Sequence, residues 1–321
     1  MERLTLDRHF VLGGQQASNA GALTLRQRQR RFGFAALAPA LVVLLAVLAY
    51  PILASVWLSL NRVSLAEGRF DQRLTGLANF AALFSDRTFR AAFTNSIVFV
   101  AVEIVAVTLL SLAFASLLNR RNSFTGFART ILVIPWAIAP VANAVLWKWI
   151  LNANYGVLNA IVKGLGLTDS YVIWLGTPRS AMAMLLLVDI WKSVPFITLL
   201  LLAGLQKIPK SLYRAARIDG AGGRQLFWYI TLPSLRTTIA TAVVLQTVWS
   251  LRIFDLIYVL TRGGPADGTV MLNYLSYRET FNFLHIGYGA AIADVLFFLT
   301  LALAILYIRL LKPKGAGRSP A

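Results

Sequence analysis

Six stretches of this chain are apolar for long enough to cross a lipid bilayer: residues 33–60, 92–118, 127–150, 179–205, 238–260 and 288–311. A helix needs about 20 mostly apolar residues to span the hydrocarbon core, because each residue advances only ~1.5 Å. No water reaches the backbone there, so the chain must satisfy its own hydrogen bonds as helices or as a closed barrel. Runs of this length predict helices, and the expected fold class is an all-α integral membrane protein with six transmembrane helices. Composition agrees, since 14% of the 321 residues are charged and 58% are hydrophobic, against roughly a quarter charged in soluble globular chains. The first run is too long and begins too late to be a secretory leader, whose core is about 7–15 residues. Residues 1–31 read as a flexible tail, 32–311 as the membrane domain and 312–321 as a second tail. Pro39, Pro51, Pro135, Pro140 and Pro195 fall inside spans, where neighbouring helices can satisfy the carbonyls they free.

The formal net charge is +18, which in a soluble chain would raise nucleic acid as a partner. Its distribution argues otherwise. Nineteen Lys and Arg residues fall in the N-terminal tail, the second and fourth loops and the C-terminus, against eight in the other loops. Positive charge collects on the cytoplasmic side of membrane proteins, so both termini and the loop at 206–233 are expected in the cytoplasm, with no nucleic acid. Asn119-Arg120-Arg121-Asn122 is expected as the turn between the second and third spans. There is no cysteine, and the histidines are His9 and His285, so neither a metal site nor catalytic residues are expected. No internal repeat of the kind found in inverted-repeat carriers is visible.

The 206–233 loop, QKIPKSLYRAARIDGAGGRQLFWYITLP, is polar where its flanks are not. Pro209 and Ser211 read as a helix start, with Ser211 as a possible N-cap. Leu212–Ile218 is expected to be a short helix, broken at Asp219-Gly220. Leu226, Phe227 and Ile230 mark a second amphipathic piece, stopped by Pro233. By pattern alone the loop is either a solvated connection or a docking element.

Glu103, Lys148, Asp189, Lys192, Arg252, Asp255 and Asp294 fall within or at the ends of spans, where an unpartnered charge is costly. They pair with each other or face a polar cavity; Arg252 and Asp255, three apart, would neutralise each other on one helix. Three faces mix rings with polar groups. The fifth span carries Gln246, Trp249, Ser250 and Ile253 at i, i+3, i+4 and i+7, the fourth carries Asp189, Ser193 and Phe196, and the third has Trp136 and Asn143 seven apart. A ring stacks on the C–H face of a sugar while amide, hydroxyl and carboxylate groups meet its hydroxyls. The competing reading is helix-to-helix packing, in which serine and asparagine also take part.

Ala215-Ala216-x-x-Asp219-Gly220-Ala221, followed by Phe227, Ile230 and Leu232-Pro233, resembles the EAA loop of ABC-importer permeases. DIWKSVPFITLLLLAGLQKIP and IYVLTRGGP are similar to the sugar-importer branch, and the likeness covers nearly the whole chain after residue 30. The resemblance implies a type I ABC-importer permease of the maltose, trehalose and glycerol-3-phosphate type, the first of a heterodimeric pair, in a bacterial inner (plasma) membrane. Its implied partners are a second related permease, an ATPase dimer on the cytoplasmic face and an extracytoplasmic sugar-binding protein or lipoprotein. ATP and magnesium would be bound by the ATPase and no cofactor by this chain. Leu212, Tyr213, Arg214, Ala215, Ala216, Asp219, Gly220, Ala221 and Phe227 would form the coupling contact. The sugar would meet Trp136, Asn143, Asp189, Ser193, Phe196, Gln246, Trp249, Ser250 and Ile253. One residue departs from the family: the glutamate usual before Ala215 is Arg214.

No phosphate-cradling G-x-x-x-x-G-K-[ST] occurs, in keeping with a subunit that leaves ATP to another chain. Two other classes remain: a membrane-embedded enzyme using Asp189 and Asp294, and a proton-coupled carrier using Asp189, Asp255 and Asp294.

Overall fold

The structure is a computed structural model that describes residues 14–66, 69–119 and 123–311. Residues 1–13, 312–321 and the expected turn at Arg120–Asn122 lie outside the described residues. The chain divides into two compact units, residues 1–55 and 56–321. The first belongs to α1, which runs Gly14–Ser59 and is helical over part of the stretch expected as a tail.

The second unit opens with a feature the span analysis did not anticipate. Strands β1 (Asn61–Ala66) and β2 (Arg69–Leu74) form an antiparallel hairpin with Val63 opposite Gln72. Asn79, on α2 (Ala78–Ser85), ties it down by donating to the carbonyls of Ser59 and Asn61. The spans follow. They are α3 (Arg87–Leu118), α4 (Ser123–Ala137) with α5 (Pro140–Ile150), α7 (Pro178–Gln206), α10 (Leu232–Leu251) with α11 (Asp255–Leu260), and α13 (Ile286–Leu311). Between them lie the short helices α6 (Val157–Gly164), α8 (Lys210–Ile218), α9 (Gly223–Leu226) and α12 (Leu272–Tyr277).

Among the described residues five helices satisfy the length and apolarity of a span, and α4 with α5 makes a sixth only as a pair bent by 95°. The expected single span at 127–150 is thus a broken one. Pro140 is the physical cause. It has no N–H to offer the Trp136 carbonyl and sits at the start of α5, where a missing donor costs nothing. The fifth span is broken too, between Leu251 and Asp255. Arg252 therefore caps the end of α10 and Asp255 sits in the first turn of α11, each favoured there by the helix dipole. Among the described residues no ion pair joins Arg252 and Asp255, which stand on either side of the break and not on one helix as expected.

Two buried clusters hold the second unit together. One joins α3, α5, α7, α11, α12 and α13 around Phe99, Leu185, Ile257, Leu275 and Ile292. The other joins α3, α7 and α10 around Val107, Ile197, Leu201 and Leu235. Ser111 of α3 donates to the Val194 carbonyl of α7 at 3.1 Å, hydroxyl glue beside Pro195. Gly287 lets β1 lie against α13, for a Cβ there would stand 2.0 Å from the Asn61 carbonyl oxygen.

Candidate functional site

A cavity of about 280 Å3 opens where the two broken spans meet α7. Of the residues expected to meet a sugar, it is lined by Trp136, Asn143, Asp189, Ser193, Trp249 and Ile253. Phe196 stands at its edge, stacked on Trp136 at 5.3 Å between ring centroids and edge-on to Trp249 at 5.2 Å. These three rings form one aromatic cluster, of which Trp136 and Trp249 line the cavity. The polar lining includes Asp189, Ser193 and Asn143, and the buried Asn143 Oδ1 has no hydrogen-bond partner among the described residues. Trp136 and Asn143 line the cavity from either side of the 95° bend between α4 and α5, not as positions seven apart on a continuous helix. The breaks also bring Pro140, Arg252, Phe254 and Asp255 to the lining, which helical periodicity could not reveal.

Gln246 and Ser250 are in a different position. They are 1% and 2% exposed and do not line the cavity. The Gln246 amide instead donates to Glu103 Oε1 at 2.5 Å, and the Ser250 hydroxyl to the Gln246 carbonyl at 2.8 Å. Glu103, wholly buried on α3, stands within hydrogen-bonding reach of Asp189. The polar stripe of α10 therefore splits: Trp249 faces the cavity, while Gln246 and Ser250 form a buried bracket behind Asp189. The acid in α3 was visible in the sequence, but its spacing gave no partner, since the contact crosses 143 residues.

Lys192 has a structural task. Its ammonium donates to the carbonyls of Trp136, at 3.4 Å, and Ile138. These carbonyls stand at the α4–α5 break, and that of Trp136 faces the proline without a donor. The cation thus takes the place of missing helical donors at a helix C-terminus.

Outside the spans, the 206–233 segment holds a helix beginning at Lys210 with Pro209 as its cap residue. Ser211 lies inside the first turn and is not the cap. Asp219 ends this helix, and Gly220 turns at φ +82, a left-handed conformation that glycine adopts freely. Ala221 N–H then donates to the Ala216 carbonyl at 2.9 Å. The second piece does not stop at Pro233. It passes through a π-helical stretch, Phe227–Thr231, and continues as α10, the altered hydrogen-bond register of that stretch lying directly before Pro233, which lacks an N–H for the preceding turn.

The loop's apolar side chains divide between two directions. Tyr213 and Phe227 pack into the second cluster beside buried Leu226, and the Tyr213 hydroxyl meets Thr231 at 2.9 Å. Leu212 and Ile218 face outward, 48% and 86% exposed, with Arg214, Ala215 and Asp219 also exposed. Tyr213 and Phe227 hold the loop to its own body; Leu212 and Ile218 are what a partner would meet.

A bundle of broken and continuous spans around a small polar cavity, with an exposed amphipathic helix beyond it, is the type I ABC-importer permease fold. A bacterial alginate ABC transporter, solved in complex with an alginate pentasaccharide-bound periplasmic protein, has a chain that superposes with a TM-score of 0.75 at 22% identity, over 89% of this chain and 95% of that one. Residues 107–314 match the family described as binding-protein-dependent transport system inner membrane component, and the chain belongs to that family. It is 39% identical to the trehalose/maltose transport system permease protein MalF of Thermococcus litoralis, over 89% of this chain and 95% of that protein. It is 35% identical to the sulfoquinovosyl glycerol transport system permease protein SmoG of Agrobacterium fabrum, over 87% and 89%. The protein is thus a multi-pass permease subunit, not an enzyme.

Proposed function

We propose that this chain carries a sugar, a disaccharide such as trehalose or maltose, into the cytoplasm across a bacterial inner membrane. It acts as the first permease of a heterodimeric pair, with both termini and the 206–233 loop in the cytoplasm. An extracytoplasmic binding protein delivers the sugar, and an ATPase dimer docks on α8. ATP and magnesium are held by that dimer. The observation that carries the reading is the cavity itself: Trp136 and Trp249, braced by Phe196, line it together with Asp189, Ser193 and Asn143. The rings take the C–H face of a pyranose and the polar lining takes its hydroxyls. The trehalose/maltose name of the relative at 39% identity supports the same class.

On this account closure of the ATPase dimer moves α8 through contacts at Leu212 and Ile218. Gly220 and the Tyr213–Thr231 bond pass the movement to α10, which bears Trp249. Such a switch requires several kcal/mol of differential contact between states, and the exposed apolar side chains of α8 can supply it.

The test is uptake of labelled trehalose and maltose by proteoliposomes holding this chain, the second permease, the ATPase and the binding protein. Uptake should require ATP hydrolysis and ignore a protonophore. Uptake that survives an inactive ATPase but collapses with the protonophore would establish a proton-coupled carrier instead. Arg252 in the cavity lining favours a second reading, an anionic sugar such as glycerol 3-phosphate or another sugar phosphate. In that case an anionic competitor would block uptake and a neutral disaccharide would not.

A further inference from the structure

A second cavity, about 1340 Å3, lies beside α8 and takes no part in the sugar site. One wall is made by the ends of spans, Asn119 after α3, Arg129 on α4 and Gln206 on α7. Lys210, Arg214 and Arg217 line it from α8, and no carboxylate is among its described lining residues. These three fall at i, i+4 and i+7, on one narrow face of the helix. Tyr213 and Ala216 beside them are partly buried against the body, while Leu212, Ala215 and Ile218 lie exposed. The cationic stripe and the exposed apolar face of α8 are therefore separate surfaces.

Arg129 completes the set. Its Nη2 donates to the Leu118 carbonyl at the end of α3, at 2.8 Å, while its buried Nε has no partner among the described residues. A space lined by one sign of charge concentrates counter-ions, and a buried guanidinium N–H left open calls for an acceptor. The wall formed by span ends puts that acceptor at the depth where phospholipid head groups lie. We propose that this cavity binds the phosphate of an anionic phospholipid at the bilayer surface, between α8 and the ends of α3 and α4. The lipid rests against the side of the lever opposite its apolar docking face and supports it there. An acidic protein segment fits less well, because the exposed apolar face offers protein a different surface. The proposal rests on the membrane reading of the chain and is independent of what is transported.

The experiment is native mass spectrometry of the complex purified with this chain, after exchange into mixed dioleoyl-phosphatidylglycerol and dioleoyl-phosphatidylcholine. The wild type should keep phosphatidylglycerol through washing that strips phosphatidylcholine. Arg129→Gln, Lys210→Gln and Arg217→Gln should each lower its affinity about fivefold, at roughly 1 kcal/mol per cation near the bilayer. Arg129→Lys and Arg217→Lys should retain it, which separates lost charge from lost folding. A parallel arm adds inorganic phosphate to the complex in phosphatidylcholine alone. A thermal shift there equal to that given by phosphatidylglycerol would mean a small-anion site and overturn the lipid assignment. Equal lipid retention by the glutamine variants would overturn it as well. So would glutamine variants that keep the lipid but shed the ATPase subunits, since the occupant would then be protein.

Discussion

Lys192 lies within a span and lines the cavity, yet its hydrogen bonds run to the Trp136 and Ile138 carbonyls. Lys192→Met should leave both carbonyls short of a donor, costing about 1–3 kcal/mol. The measurement is the thermal midpoint of the purified complex, which should fall; an unchanged midpoint would show that the ammonium is not needed at the break. Trp249 is the complementary case, a ring held edge-on to Phe196 at 5.2 Å with its other side open to the cavity. Trp249→Ala should raise the KM for sugar uptake about tenfold, equivalent to ~1.4 kcal/mol of lost contact. ATPase activity stimulated by the unliganded binding protein should stay near the wild-type rate. Equal KM values would remove the ring from the sugar site. At this scale the sequence was informative about residue types and silent about direction. Gln246 and Trp249 share a helical stripe, yet one is buried against Glu103 and the other lines the cavity, because α3 packs closely enough to cover only part of the stripe.

The helices were legible where lipid alone dictates length, and illegible where the chain breaks inside the membrane. Apolar runs persist through the breaks at Pro140 and at Arg252–Phe254, so hydropathy cannot register them. The cue at Pro140 was its suitability for a helix's first turn, and at Arg252 and Asp255 a cation followed by an acid, each matched to a helix end. The β1–β2 hairpin also had a signal, alternating residues on either side of Gly68. It was obscured because neither arm is long or apolar enough to weigh against a neighbouring span. In the 206–233 segment the break at Gly220 was legible from composition, since a left-handed turn favours glycine. Proline there would force φ from +82 to about −65 and detach α8 from the Tyr213–Thr231 anchor. Gly220→Pro should leave the chain in the membrane fraction and its ATPase active, while uptake per ATP hydrolysed drops toward background. Uptake coupled as in wild type would show that this turn does not transmit the movement.

For the whole molecule the decisive quantity is the size of the sugar cavity. Small-molecule pockets commonly enclose about 300–1,000 Å3, and about 280 Å3 here falls just short of that range. A hexose ring can occupy such a space; the second ring of a disaccharide needs another wall. A second permease facing the cavity would supply that wall. Affinity should therefore belong to the pair. Tryptophan fluorescence offers a direct reading, because Trp136 and Trp249 both line the cavity. Titrated with trehalose or maltose, this chain alone should bind at least about a hundredfold more weakly than the permease pair, a difference of ~2.7 kcal/mol. In the Trp249→Ala variant the change in signal on forming the pair should be much smaller. If the single chain bound sugar as tightly as the pair, the cavity would be a complete site, and the second permease would be needed for movement but not for recognition.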